Sequence, residues 1–470
     1  MKTTEIEKIF EQFKYEFNPN LLQNNDKNKS YQDLYLRYLE IEYNLINKNL
    51  RNREILSLKN EPFIEDLELI NYYNRLYKLC NTTFENSGNY YWIYILKMVN
   101  ILLNNGNIKK NSIYSTYSIF LAIKGEYDSA YKFSLLDLNL NKEIKNDFEI
   151  SNSYNILANY NIPWKFHLKF SEDLNKDGII YSLKSKNWTI GAYSSFHYTV
   201  NSYYLGKNLK YLKQEESNTY NFLANVSNDL SLHIISEVKH LINGLIKELN
   251  LESLDTEDYS YNFDFDSFKS NPILNYAINI YNIMKAQVFY LYGEYEKGYK
   301  KLNEIENSIP ILGSINSIAE YCFIHSLLLT RLFYSSDLET RSEFLDKLQD
   351  NQLKMKTWTL NCPENYYHKY LLIEAEIAGI EYKHYKASLL YDLAIIEAKK
   401  NKFIQNEGIA CECASNFYFN IRKQELAQKY LLEAYRCYKE WGANSKCELM
   451  KSRYSTLLEE NKFQLDLLFH

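Results

Sequence analysis

The sequence predicts an all-α protein, a TPR-like superhelix in which antiparallel helix pairs stack as a solenoid. Three observations carry that expectation. Glycine (13) and proline (6) together make up only about 4% of the 470 residues, against roughly 12% in an average chain. Folds built on many tight turns, such as sandwiches, barrels and glycine-looped nucleotide folds, need more. Apolar residues recur at helical steps through the second half, and one spacing of small and large residues returns along the chain.

The chain is 46% hydrophobic, ample for a core, and 54 Lys+Arg against 59 Asp+Glu leave a net charge of −5. That balance lacks the basic footprint of a nucleic-acid protein, so nucleic acid is not an expected partner. The 45 tyrosines, with abundant Asn, Lys and Ile, read as a compositional bias rather than a binding code. The N-terminus, with Glu5 and Glu7 where a secretory signal would be apolar, does not read as a leader. Even Leu327-Leu328-Leu329 is flanked by His325, Ser326 and Arg331, so no run approaches the ~20 residues a membrane span needs. Seven scattered cysteines read as buried helix residues of a cytoplasmic chain.

Taken in order, residues 1–65 form an N-terminal helical segment, with Asn18–Ser30 a polar loop. Residues 66–249 form a first TPR-like block. Residues 250–272 are an acidic linker carrying Asp255, Glu257, Asp258, Asp264 and Asp266. Asp264-Phe265-Asp266 begins like a calcium loop but lacks its Gly and closing Glu. Residues 273–455 form a second block and 456–470 a tail.

The second block shows the repeat. Ala277, Ile280, Tyr281, Met284, Val288 and Leu291 share one helical face, and Ile318, Tyr321, Cys322, His325, Leu328, Leu329 and Leu332 share another. Between them, Gly293 reverses the chain, Tyr295 packs in the turn and Gly298 permits close helix approach. Leu302 and Ile305 continue the buried face, and Pro310 stops the helix. The small–large–small spacing returns as Ala387, Tyr391, Ala394 and once more as Ala427, Leu431, Ala434, with a partial copy at Gly125–Ala130.

Catalytic signatures are absent. No phosphate loop, GxGxxG, HRD, DFG, CxxC or HExxH occurs, so no metal or cofactor is expected and the chain reads as a non-enzyme. Cys411 and Cys413 diverge on a helix and make no metal pair. His325 reads as a core histidine. Asn187-Trp188-Thr189 and Asn225-Val226-Ser227 match the glycosylation pattern by chance.

Residues 317–447 carry a dense set of words: Asn351-Gln352, Lys354-Met355-Lys356, Trp358, Pro363-Glu364-Asn365, His368-Lys369-Tyr370 and Leu372–Glu376. Leu390-Tyr391-Asp392, Phe403–Glu407, Tyr430–Tyr435 and Trp441-Gly442-Ala443 with Lys446 complete it. This series resembles the helical middle region of the large multi-domain signalling kinases of bacteria and fungi. The first block is similar more weakly, through Trp92–Val99, Gly106, Gly125-Glu126-Tyr127, Gly178 to Trp188, Gly191-Ala192 and Gly206–Leu209. The resemblance implies a non-catalytic interaction module of a phosphorelay-type system. Its partners would be kinase, AAA ATPase or GAF/histidine-kinase modules, in cis or in trans, and it supplies no catalytic residue to carry over.

Within these words, Pro363 breaks one helix and Asn365 caps the next. Trp358 and Trp441 read as core anchors. Lys354, Lys356 and Lys369 are the exposed residues expected to contact a neighbouring module. A ligand-gated receptor closing on a small peptide or metabolite is the alternative.

Overall fold

The computed structural model describes residues 25–85, 90–109, 112–225, 229–247 and 272–454. Helices account for nearly all of them, and among these residues the sole β pairing is an isolated bridge, Phe63 to Asn107. No described helix is long and apolar enough to cross a membrane. Two compact units divide the chain, 1–108 and 109–470. The expected linker, 250–272, thus falls within the second unit. Its residues up to 271, Asp264 and Asp266 included, lie outside the described residues, as does the tail 456–470.

In the first unit, α1 (Asn25–Leu50), α2 (Leu67–Glu85) and α3 (Tyr91–Asn105) bury Ile46, Leu58, Tyr73, Leu76, Leu96 and Val99. The Arg53 guanidinium donates to the carbonyls of Asn49 and Leu103, both at 2.7 Å, and so satisfies two helix ends. Asn25–Ser30, expected as loop, belong to α1. Once a downstream helix has nucleated, each further polar residue adds a backbone hydrogen bond at little cost.

The second unit begins with α4 (Ile113–Ile123), α5 (Tyr127–Ile144), α6 (Asp147–Ile156), the one-turn α7 (Ile162–Lys165), α8 (Phe170–Ser185), α9 (Trp188–Tyr204), α10 (Leu209–Asn225) and α11 (Asp229–Ile246). It continues with α12 (Pro272–Tyr292), α13 (Tyr295–Ile305), α14 (Ser317–Leu332), α15 (Leu338–Asn361) and α16 (Pro363–Ile380). The last four are α17 (His384–Lys400), α18 (Ile404–Asn420), α19 (Gln424–Trp441) and α20 (Asn444–Arg453). Consecutive helices pack on one another.

The turns that follow α16, α17, α18 and α19 share one conformation. Tyr382, Lys402, Arg422 and Gly442 all have positive φ (59°, 62°, 60° and 91°). They fall at equal intervals along the chain, so each helix with its turn is a unit of constant length. Gly293 occupies the same kind of turn at φ 81°. Gly298 is buried where a Cβ would meet Leu328 at 3.0 Å and the Ala286 carbonyl at 3.3 Å. Leu302, Ala387, Tyr391, Ala394, Ala427, Leu431 and Ala434 are buried, and half-buried Tyr295 packs on Tyr290 with ring centroids 5.7 Å apart. Helix α13 ends at Ile305, and Pro310 lies beyond it, inside a 3-10 stretch, Glu306–Leu312. Lacking an N–H, Pro310 cannot close an α-helical bond to Glu306.

Burial sorts the second block into layers. Helices α14, α16 and α18 are covered almost all round, whereas α13, α15, α17 and α19 keep an exposed face. A helix buried on every side belongs to an inner layer.

Candidate functional site

The inner helices start with polar residues, and polar groups cost free energy to bury unless they are bonded. In α16, Pro363 takes the first helical position, where its missing N–H is no loss. That places Asn365 at the buried mouth of the helix. Asn365 does not cap α16, as the sequence suggested. Its Nδ2 donates to the carbonyls of Pro163 (2.7 Å) and Phe166 (2.9 Å), and its Oδ1 accepts from the Leu168 amide at 2.8 Å. Tyr366 adds a hydroxyl donated to Pro163 at 3.0 Å. In α18, Gln405 Nε2 donates to the Tyr204 carbonyl at 2.6 Å. In α20, Lys446 donates to the Leu291 carbonyl and to Glu412 at 2.7 Å.

The first turns of α16 and α18 clasp two stretches of the first block, residues 160–168 and 203–208, whereas Lys446 ties α20 to residues of the second block. The first stretch follows a π-turn, Leu157–Asn161, in which the Ile162 N–H reaches the Leu157 carbonyl. Pro163, with no N–H to offer Asn159, favours that wider register. Trp164 is thereby set among Tyr127, Trp358 and Tyr366, with ring centroids 5.3–5.5 Å apart, and its indole N–H donates to the Ser314 carbonyl. His167 and His368 both stack on Phe403, with ring centroids at 5.2 and 4.8 Å. Burial lowers the pKa of both imidazoles, so they sit neutral. His167 Nε2 lies 2.9 Å from the Asn401 carbonyl and His368 Nε2 lies 2.9 Å from Asn406 Nδ2. The second stretch passes Gly206, at φ 74°, where a Cβ would fall 2.0 Å from Gln405 Oε1. Only glycine lets the chain through. Asn208 Nδ2 then donates to the Glu440 carbonyl at 2.8 Å.

Lys369, expected at the surface, is buried and pairs with Glu320. Asn316 Nδ2 also donates to that carboxylate at 3.2 Å, and the rings of Phe323, Tyr366 and Phe403 surround the ammonium at 5.7–5.9 Å. A signal was present. Asn365, Lys369, Leu372, Ile373 and Glu376 form one helical stripe, so the lysine continues an apolar face. Lys354 and Lys356 are exposed on α15. Glu374 and Glu376 face different neighbours: Glu374 accepts from Gln352 at 2.9 Å, whereas Glu376 accepts from Tyr391 at 2.7 Å and pairs with Arg331 at 3.4 Å.

Two other clusters bear on chemistry. Glu407, Glu433 and Cys437 bring ligand-type atoms within 4.8 Å of one another, but the Arg436 guanidinium stands among them, 2.8 Å from Glu407 and 2.7 Å from Glu433. Its hydrogen bond holds the Glu433 carboxyl below the usual range. The positive charge a metal would bring is already supplied. In the first block, the Asp137 carboxylate accepts from Ser153 (2.6 Å), Ser115 (2.9 Å) and Asn141 (3.0 Å), and burial pushes its pKa up to about 7. Burial likewise drives the His325 imidazole down to about 3. All seven cysteines are free and buried. Asn187, in a glycosylation-type word, is buried and bonded to Ser151 at 3.0 Å. Chemically, the arrangement ties the chain to itself: side-chain amides and a tyrosine hydroxyl donate to its own main-chain carbonyls, framed by aromatic rings.

No protein-family model matches the chain. Over 68 residues it is 35% identical to hybrid signal transduction histidine kinase G of Dictyostelium discoideum. The match takes in 14% of this chain and 2% of the length of that protein.

Proposed function

We propose that this chain is a TPR-like, non-catalytic scaffold of a phosphorelay-type signalling system in the cytoplasm, linking ATPase and sensor or histidine-kinase modules in cis or in trans. The observation that carries the proposal is the layering of the second block, whose inner helices hold the chain's own backbone while the outer helices keep an exposed face. The partial similarity to a signalling histidine kinase supports the same assignment. Because the inner helices are already engaged with residues 160–168, module contacts belong on the outer helices, where Lys354 and Lys356 lie, and Lys369 has no part in them. The test mixes the purified chain with separately produced ATPase and GAF/histidine-kinase modules, following affinity by calorimetry and autophosphorylation by phosphate transfer. Binding to at least one module with a changed phosphorylation rate is expected. No binding to either, or ATP hydrolysis by the chain alone, overturns the proposal.

A second function, a receptor for a small polar molecule, is supported by buried atoms that lack a protein hydrogen-bond partner. Tyr203 Oη, Gln405 Oε1, Asn406 Oδ1 and His368 Nδ1 are of this kind. A saturable rise in melting temperature with one member of a metabolite panel would favour this function over the scaffold.

A further inference from the structure

Helix α15 exposes leucines that no other described element covers. Leu338, Leu345, Leu353 and Leu360 are 81%, 43%, 67% and 78% exposed, although an outer helix normally turns charged residues to water. They belong to a regular stripe. Leu338, Ser342, Leu345, Gln349, Leu353, Lys356 and Leu360 follow steps of 4, 3, 4, 4, 3 and 4. This is two successive 11-residue units, a period that keeps a stripe nearly straight along an α-helix. All seven are exposed.

The stripe is also its own mirror image about Gln349. In an antiparallel pair centred there, Leu338 of one copy stands opposite Leu360 of the other, Leu345 opposite Leu353, and Gln349 opposite itself. Charge agrees with that direction. The half of α15 before Gln349 exposes Glu339, Glu343 and Asp346, and the half after it exposes Asp350, Lys354 and Lys356, neither lysine with an ion-pair partner among the described residues. Antiparallel pairing puts Lys354 beside Glu343 and Asp346 of the other copy, and Lys356 near Glu339. Parallel pairing would set acid against acid.

We infer that α15 is a self-association surface and that its occupant is α15 of a second copy of this chain, packed antiparallel about a two-fold axis at Gln349. The pairing uses Lys354 and Lys356, the same residues the proposed function gives to module contacts, so a second copy and a module would compete for this face. The pairing helix is about 36 Å long, a small isologous interface, and Asp350 approaches its own copy near the axis. The association is therefore weak, with a dissociation constant in the micromolar range.

The full chain is tested by sedimentation equilibrium and by cysteine cross-linking, which the burial of every native cysteine leaves free of background. A monomer–dimer equilibrium is expected. Leu345→Glu with Leu353→Glu should weaken it tenfold or more with an unchanged far-UV spectrum. Under mild oxidation Gln349→Cys should give a disulfide-linked dimer and Leu338→Cys alone should not, whereas Leu338→Cys with Leu360→Cys should. A chain monomeric to roughly 100 μM, or a dimer indifferent to the leucine substitutions, overturns the inference. Self-linking of Leu338→Cys means parallel pairing, in which Gln349→Cys would link as well, and overturns the inference.

Discussion

The seams between helices are made differently in the two halves of the second unit. In α4–α9 they are polar. Asp137 joins α5 to Ser115 of α4 and Ser153 of α6. Further along, Asn159 exchanges hydrogen bonds with Asn175 at 2.9 and 3.0 Å and accepts another from Asn201 at 3.0 Å. In α12–α20 the seams are small and mostly apolar: Gly298 under Leu328, Gly408 against Cys437 and Tyr438, and the buried Ala387, Ala394, Ala427 and Ala434. Small residues let helices approach by leaving atoms out. Asn and Ser let them approach by replacing water with one another, and each such bond adds only about 1 kcal/mol net. One protein thus stacks helices by two solutions, and the polar one demands that every member be satisfied.

Among the charged exceptions in the apolar half, the Lys369–Glu320 pair is buried at both partners, and removing one partner there should have the largest effect. Lys369→Met leaves the Glu320 carboxylate buried and unpaired, which costs about 3–5 kcal/mol. Urea unfolding should show a large fall in midpoint, and Lys369→Met with Glu320→Leu should recover much of it. A loss below about 1 kcal/mol, the value of an exposed pair, would place the lysine at the surface after all.

Asn365 ties the two kinds of seam together. Asn365→Ala abandons the carbonyls of Pro163 and Phe166 and the amide of Leu168, at roughly 3 kcal/mol for groups that stay buried. Hydrogen exchange should rise at the Leu168 amide first. Asn365→Asp should do almost as much harm, because a carboxylate has no donor for the two carbonyls. Protection at Leu168 unchanged from the parent chain in both variants would break the claim that this side chain holds the stretch.

These residues show what a single sequence discloses. The apolar half was legible because small and large residues at helical steps form a pattern, so its helices and buried faces could be drawn from spacing alone. The turns were only partly legible. Gly293 and Gly442 announce a left-handed residue, but Tyr382, Lys402 and Arg422 adopt the same conformation, and those types rarely do. The polar half was harder, since Ser and Asn on a buried helix face look like Ser and Asn on a wet one until their partners are known. Asn365 followed a proline, and capping was the local explanation. Its partners, Pro163, Phe166 and Leu168, belong to the other block of the sequence, beyond the reach of any local rule.

Asp137 gives the polar half its own test. Its folded pKa is raised to about 7 from 3.8, mainly by burial. Between those values the unfolded chain has released a proton that the folded chain keeps, so stability falls as pH rises from about 4 to about 7 and levels off above. Asp137→Asn keeps an acceptor for Ser115 and Ser153 without the buried charge. It should flatten that slope and raise stability at pH 8 by roughly 2 kcal/mol, read from melting temperatures across the pH range. An unchanged slope would mean that other groups carry the pH dependence.

The smallest effect is expected where the apolar half is tightest. A Cβ at Gly408 would come 3.0 Å from the Tyr438 ring and 3.1 Å from the Cys437 Cβ. The ring is pinned by its hydroxyl, which donates to Glu412 at 2.8 Å, and the Cβ moves only with the backbone of α19. Gly408→Ala gains about 1 kcal/mol of helix propensity but overpacks the seam at about 1–3 kcal/mol, for a net loss of about 1 kcal/mol. Pairing it with Cys437→Ala, which removes the neighbouring sulfur but leaves the Cβ, should recover little of that loss, whereas Tyr438→Leu should relieve the clash and show non-additivity. If Gly408→Ala proved stabilising, the apolar seams would have slack to spare. The polar seams would then be the ones that fix how the helices sit.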